Sequence, residues 1–144
     1  MKTRVLQLTL LVVAMGTTSA LSKELRPLGV TPYGEILLTQ INRYRQENGL
    51  NGLRFDPGLV RLAQKHSFEM FRDKRISHGN FNQRFELADS RLCVENVGWH
   101  FSNPLNIFDA WRESRGHDQN MLREGINKAG IAEVGEYVTF FACK

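Results

Sequence analysis

From residue 35 to residue 48, Ile36, Leu37, Ile41 and Tyr44 recur at helical spacing with Arg43, Arg45, Gln46 and Glu47 between them, and Gly49 ends the run. Such spacing lays one apolar stripe along a cylinder, so an amphipathic helix is predicted here. A second start signal follows at Asp56-Pro57. Aspartate offers its carboxylate to the free amides of a first turn, and proline at the first helical position forfeits no hydrogen bond. The helix it opens should run about 17 residues, with Leu59, Leu62, Ala63, His66 and Met70 on one face and Arg61, Lys65, Arg72 and Lys74 elsewhere. Ser77-His78-Gly79-Asn80 interrupts the period, and residues 81–88 suggest a short helix. Residues 104–113 return to helical spacing through Ile107, Phe108 and Trp111, with Arg115-Gly116-His117 read as the close of that helix.

Two further segments read as strands. Residues 93–99 (CVENVGW) are apolar except for Glu95-Asn96, a pair that a purely structural strand would avoid, because a buried polar group is costly unless hydrogen-bonded. Residues 130–143 alternate glycine, β-branched and aromatic side chains around Gly135-Glu136, the pattern of a hairpin. Helices before and between a few strands, with the hairpin last, predict a single α+β domain whose sheet is covered by helices on both faces. The chain contains no internal repeat and no low-complexity segment.

The start of the chain has a different character. Lys2 and Arg4 precede an apolar run over residues 5–15, which ends in Gly16-Thr17-Thr18-Ser19-Ala20. A basic start, an apolar stretch too short to span a bilayer and a small-x-small end predict a secretory signal peptide over residues 1–20, with a cut two residues later as the alternative. Removing 20 of the 144 residues leaves 124. Residues 21–34, with two prolines and two glycines, read as a leader strapped to the surface or partly mobile, ahead of a domain over residues 35–144.

Composition narrows the function classes. At 42% hydrophobic and 24% charged residues, the chain is neither disordered nor a multidomain enzyme. Without Lys2 and Arg4 the 19 basic residues become 17 against 15 acidic ones, a net charge of only +2 with no basic stripe, which disfavours nucleic acid as a partner. A second long apolar run is absent, so no membrane span is expected, and the product is placed outside the cytoplasm, secreted or periplasmic. Export favours a disulfide between Cys93 and Cys143 over a metal or redox site.

Four polar residues sit where the pattern does not need them: His78, Glu95, Glu113 and His117. Neutral imidazoles are common zinc ligands, and a carboxylate beside a metal-bound water can act as general base or orient a ligand. Glycine-rich phosphate loops, a nucleophile-elbow serine and clustered metal-binding cysteines are all missing. His66-Ser67 and Ser77-His78 are adjacent in the chain and cannot form nucleophile-base pairs by themselves. His66 is expected to pack or hydrogen-bond along the inner edge of its helix, with a place at a pocket rim as the alternative. Trp99, Phe101 and Trp111 are expected in the core or a pocket wall.

Four landmarks in order, residues 59–70 (LVRLAQKHSFEM), Ser77-His78-Gly79, Glu95-Asn96-Val97 and residues 111–122 (WRESRGHDQNML), resemble the CAP superfamily. This is the domain shared by cysteine-rich secretory proteins, insect venom antigen 5 and plant pathogenesis-related proteins, and the likeness is to its compact bacterial members, over roughly residues 35–143. The resemblance implies a three-layer α-β-α sandwich with a cleft in which two histidines and acidic residues converge. It implies that His78 and His117 hold a divalent metal, commonly zinc, and that Glu95 orients a histidine or activates a water. Glu113 is one position earlier than the second glutamate of a full tetrad, where Ser114 stands, and a one-residue shift turns a helical side chain by about 100°. Asp118, in place of a frequent basic residue, is expected to raise the pKa of His117.

Three functions follow from these readings. The first is an exported binding module for a lipid, glycan or peptide. The second is a zinc-dependent hydrolase of peptidase or esterase type, with catalytic roles for His78, His117, Glu95 and Glu113 and with Glu95 as base. The third is a surface that engages another exported protein.

Overall fold

A computed structural model describes residues 28–144. The expected signal peptide and the first part of the leader lie outside the described residues. The order of elements is α1 (Pro32–Glu47), β1 (Arg54–Phe55), α2 (Pro57–Asp73), α3 (Phe81–Leu87), β2 (Cys93–Trp99), α4 (Pro104–Glu113), α5 (Arg115–Met121), β3 (Lys128–Val134) and β4 (Tyr137–Cys143). The sheet runs β1-β3-β4-β2, with β1 parallel to β3 and the other pairs antiparallel.

The last residues assigned to the leader belong to the domain. Thr31 caps α1 by accepting the Gly34 amide at 3.2 Å, Pro32 takes the first turn, and the Thr31 hydroxyl donates to Glu133 on β3 at 2.8 Å. Val30 is buried beside them. The cap was overlooked because it lies upstream of the apolar period. Arg45, read as a polar-face residue, is wholly buried. Its guanidinium donates to the carbonyls of Asn51, Met121 and Arg123 at 2.8–2.9 Å, tying the end of α1 to the end of α5.

Three layers result. α2 and α3 cover one face of the sheet, where Leu59, Ala63 and Met70 meet Ala132, Phe141, Tyr137 and Val97, and Phe81 sits edge-on to Phe141 with ring centroids 6.0 Å apart. On the other face, α1 and α4 bury Leu37, Ile41, Ile107, Phe108 and Trp111 against Ile131 and Phe140. Every residue of β4 is buried. That is why this strand reads as continuously apolar, since both of its faces and both of its edges are covered. Gly130 is the closest point between layers: a Cβ there would collide with the backbone of Leu59, so α2 can approach the sheet only over a glycine.

Cys93 and Cys143 are register partners on β2 and β4 and form a disulfide. At a sequence separation of 50, the chain-entropy model gives about 4 kcal/mol of stabilisation from restricting the unfolded chain.

Candidate functional site

The two sides of a strand point to opposite faces. On β2, Glu95 and Val97 face the α2 layer while Asn96 and Gly98 face α4 and α5. β2 is also the edge of the sheet, so groups from both layers can meet around it.

Glu95 is the centre of the arrangement, with its side chain only 1% exposed. Arg84 of α3 grips it with both arms: Nε donates to Oε2 and one terminal nitrogen to Oε1, each at 2.8 Å. The other terminal nitrogen donates to the Gly79 carbonyl at 2.7 Å. His78, in the segment between α2 and α3, donates from Nδ1 to Oε1 at 3.0 Å, since a carboxylate can only accept. His66 approaches from α2, with Nε2 donating to the Ser77 carbonyl at 2.7 Å and lying 3.8 Å from Oε1. Burial pushes the Glu95 carboxyl upward, but the hydrogen bonds from His78 and Arg84 and the charges of Arg84 and His66 outweigh it, leaving the group below the usual range.

α5 supplies the opposite wall. The sequence reading closed α4 at residues 115–117; instead Ser114, with extended backbone (φ −98°, ψ 111°), ends α4 and caps a separate helix that carries His117. The His117 carbonyl accepts from the Asn96 amide at 3.0 Å, and Asn120 donates to the Glu95 carbonyl at 3.0 Å and to Asn96 Oδ1 at 2.9 Å. Its imidazole is half-buried near Trp111, with ring centroids 6.3 Å apart. Burial, and then the nearby charge of His78, lower its pKa. The expectation that Asp118 raises this pKa is therefore overturned. The Asp118 carboxylate accepts the Tyr44 hydroxyl of α1 at 2.9 Å and serves to join α5 to α1.

The structure brings His78 onto Glu95 together with Arg84 and His66, and it holds the His117 backbone against Asn96 on the other side of the strand, where Asn120 joins them. Glu113 stays apart at the end of α4, exposed and without a hydrogen bond or ion pair among the described residues. Arg84 carried one signal in the sequence: it stands three positions after Phe81, so the two share the inward face of α3.

The donor set bears on a metal. With Nδ1 committed to Glu95, neutral His78 leaves Nε2 as its free lone pair, the orientation a metal-ligating histidine takes. His117 is biased to the neutral form a ligand needs. Both Glu95 oxygens are engaged, and among the described residues no group of three or more His, Cys, Asp or Glu is arranged around a common ion position. His78 and His117 are the residues that would hold such an ion, with water or ligand completing its coordination, and the donor set does not make a closed four-ligand zinc site.

Comparison with known proteins agrees with the layered fold. The YkwD protein of Bacillus subtilis (strain 168) is 26% identical over 125 residues, covering 82% of this chain and 46% of YkwD. An extracellular SCP-domain protein from Bacillus anthracis superimposes with a TM-score of 0.72 at 21% identity, covering 80% of this chain and 44% of that one. An outer surface protein of Borrelia burgdorferi gives 0.72 at 20% identity, covering 78% of this chain and 92% of that one. This chain therefore spans less than half of the length of the two Bacillus proteins. The sequence profile of the cysteine-rich secretory protein family, CAP, matches residues 38–143, most of the described domain, and the chain belongs to that family.

Proposed function

We propose that this CAP domain is an extracytoplasmic binding module whose cleft, between the segment after α2 and the start of α5, captures a lipid, glycan or peptide ligand through His78 and His117, with a divalent cation such as zinc shared between protein and ligand. The observation that carries the reading is the state of Glu95. A carboxylate gripped by Arg84, bonded to His78 and held below its usual pKa is a poor proton acceptor and a good orienting group. That supports binding over a hydrolase in which Glu95 is the base. Export is part of the same proposal: the Cys93–Cys143 bridge suits an oxidising compartment, and the B. anthracis and B. burgdorferi relatives are described as extracellular and outer-surface proteins.

Zinc titration by calorimetry on metal-stripped protein at neutral pH tests this. One-to-one binding in the wild type, weaker than a closed zinc site and abolished in His78→Ala/His117→Ala, is expected. Binding that survives in the double variant would remove both imidazoles from the metal site, and no binding in the folded wild type would end the cation part of the proposal.

A further inference from the structure

The end of α2 carries a surface that the cleft does not use. Phe68 and Phe71 project from the helix and Trp99 from the end of β2, and all three are about half exposed. Trp99, expected in the core or a pocket wall, stacks on Tyr137 at 6.2 Å and forms one side of a groove of about 480 Å³; Phe71 forms the other, with Arg72 and Lys74 at its rim. The hairpin tip closes the groove over Gly135, where a Cβ would lie 2.6 Å from the Phe71 ring. Phe71 can lie against the tip only because this position is glycine.

Around the aromatics the basic groups Arg61, Lys65, Arg72 and Lys74 slightly outnumber the acidic Glu69, Asp73 and Glu136. Arg61, Lys65 and Arg72 share the outer face of α2 with Phe68, at helical spacings of seven, three and four. Each acid is engaged, Glu69 with Lys65 at 4.0 Å, Asp73 with Arg72 at 2.7 Å and Glu136 with His100 at 2.9 Å, so Lys65 and Arg72 are partly neutralised. Neither Arg61 nor Lys74 has an ion pair among the described residues.

We propose that this face docks the domain on an anionic phospholipid surface, with Phe68, Phe71 and Trp99 entering the headgroup region and Arg61 and Lys74 meeting the lipid charges. Two observations favour a bilayer over a protein partner. At half exposure the three aromatic side chains offer about 300 Å², short of the roughly 450 Å² of apolar area within the roughly 800 Å² that each partner of a stable protein complex contributes. Long cationic stems flanking Trp and Phe also reproduce the composition of interfacial membrane contacts. The proposal is independent of the histidine cleft.

Trp99 reports on it directly, because the other tryptophan, Trp111, is buried. The protein is mixed with phosphatidylcholine vesicles with and without phosphatidylglycerol, and co-sedimentation and tryptophan emission are read together. Binding to the anionic vesicles with a blue shift, quenched by brominated lipid and suppressed by salt, is expected. Partitioning should fall at least about tenfold in Arg61→Glu/Lys74→Glu, since each cation near such a surface adds about fivefold. Trp99→Phe should bind without the blue shift, and His78→Ala/His117→Ala should bind as the wild type does. Equal binding to neutral vesicles, or an unshifted Trp99, overturns the proposal. So does absence of vesicle binding, and in that case a Trp99 shift on adding poly-glutamate would assign the face to an acidic protein partner.

Discussion

Replacing Arg84 by methionine keeps most of the side chain's volume and removes its charge. Glu95 would lose two charge-assisted bonds of 2.8 Å at a site where both side chains are 5% exposed or less, and would keep the His78 hydrogen bond and the more distant His66. Breaking one side of such a buried pair costs about 3–5 kcal/mol, because the remaining charge is left in a poorly solvated place. A domain of about 115 residues has an unfolding entropy near 0.24 kcal/mol per kelvin, so the melting temperature should fall by about 12–20 °C at neutral pH. The loss should also depend on pH. In the wild type the Glu95 pKa lies below its unfolded value, so its stabilisation is present above the unfolded pKa and is lost as pH falls through the folded one. Without Arg84, burial prevails and the carboxyl protonates more readily, so the gap between variant and wild type should narrow toward about pH 4. Glu95→Gln/Arg84→Met, which leaves neither charge buried, should recover part of the loss. Melting curves by circular dichroism at the two pH values decide the matter. A drop under about 4 °C, or a gap that does not change with pH, would refute the account of Glu95 as a buried anion held by Arg84.

Two further outcomes follow from the same geometry. Gly130→Ala drives a methyl group into the Leu59 backbone, which cannot swing aside as a side chain can, so it should destabilise by at least the roughly 1–3 kcal/mol of ordinary overpacking, read as a lower urea midpoint. An NMR titration should place His117 below the ordinary histidine value, and His78→Ala should raise it only in part because burial is the larger cause; stability should accordingly fall as pH drops through the interval between the unfolded value and the lower folded one. A His117 midpoint at or above the ordinary value would contradict this.

The elements that the sequence reveals well are those with local signals. Asp56-Pro57 opens α2, β2 spans the residues that the apolar run gives it, and α4 begins at Pro104. β1 has two residues and exists only because β3 lies parallel to it, a pairing across more than 70 positions that no local pattern announces. α5 escaped because Ser114 breaks the helix without a glycine or proline. At the site, Glu95 stood out as an acid inside an apolar strand, whereas the ring around it did not. Arg84 and Arg45 look like ordinary surface cations, since their value lies in carbonyls and a carboxylate brought near by tertiary folding. The placement of His78 and His117 in one site rests on resemblance, since their separation of 39 positions carries no local signal.

The wall built by α4 and α5 has a second consequence. Asn120 takes the Glu95 carbonyl and the Trp111 indole takes the Val97 carbonyl at 3.2 Å, so two acceptors along the sheet's last strand are already spent within the fold. An extended chain approaching β2 would find part of its ladder blocked, which discourages both fibre-like stacking of copies and recognition of a peptide by strand addition. Under the proposed binding role, recognition along this edge would fall mainly to side chains, and selectivity should change with single substitutions around the strand while the backbone stays the same.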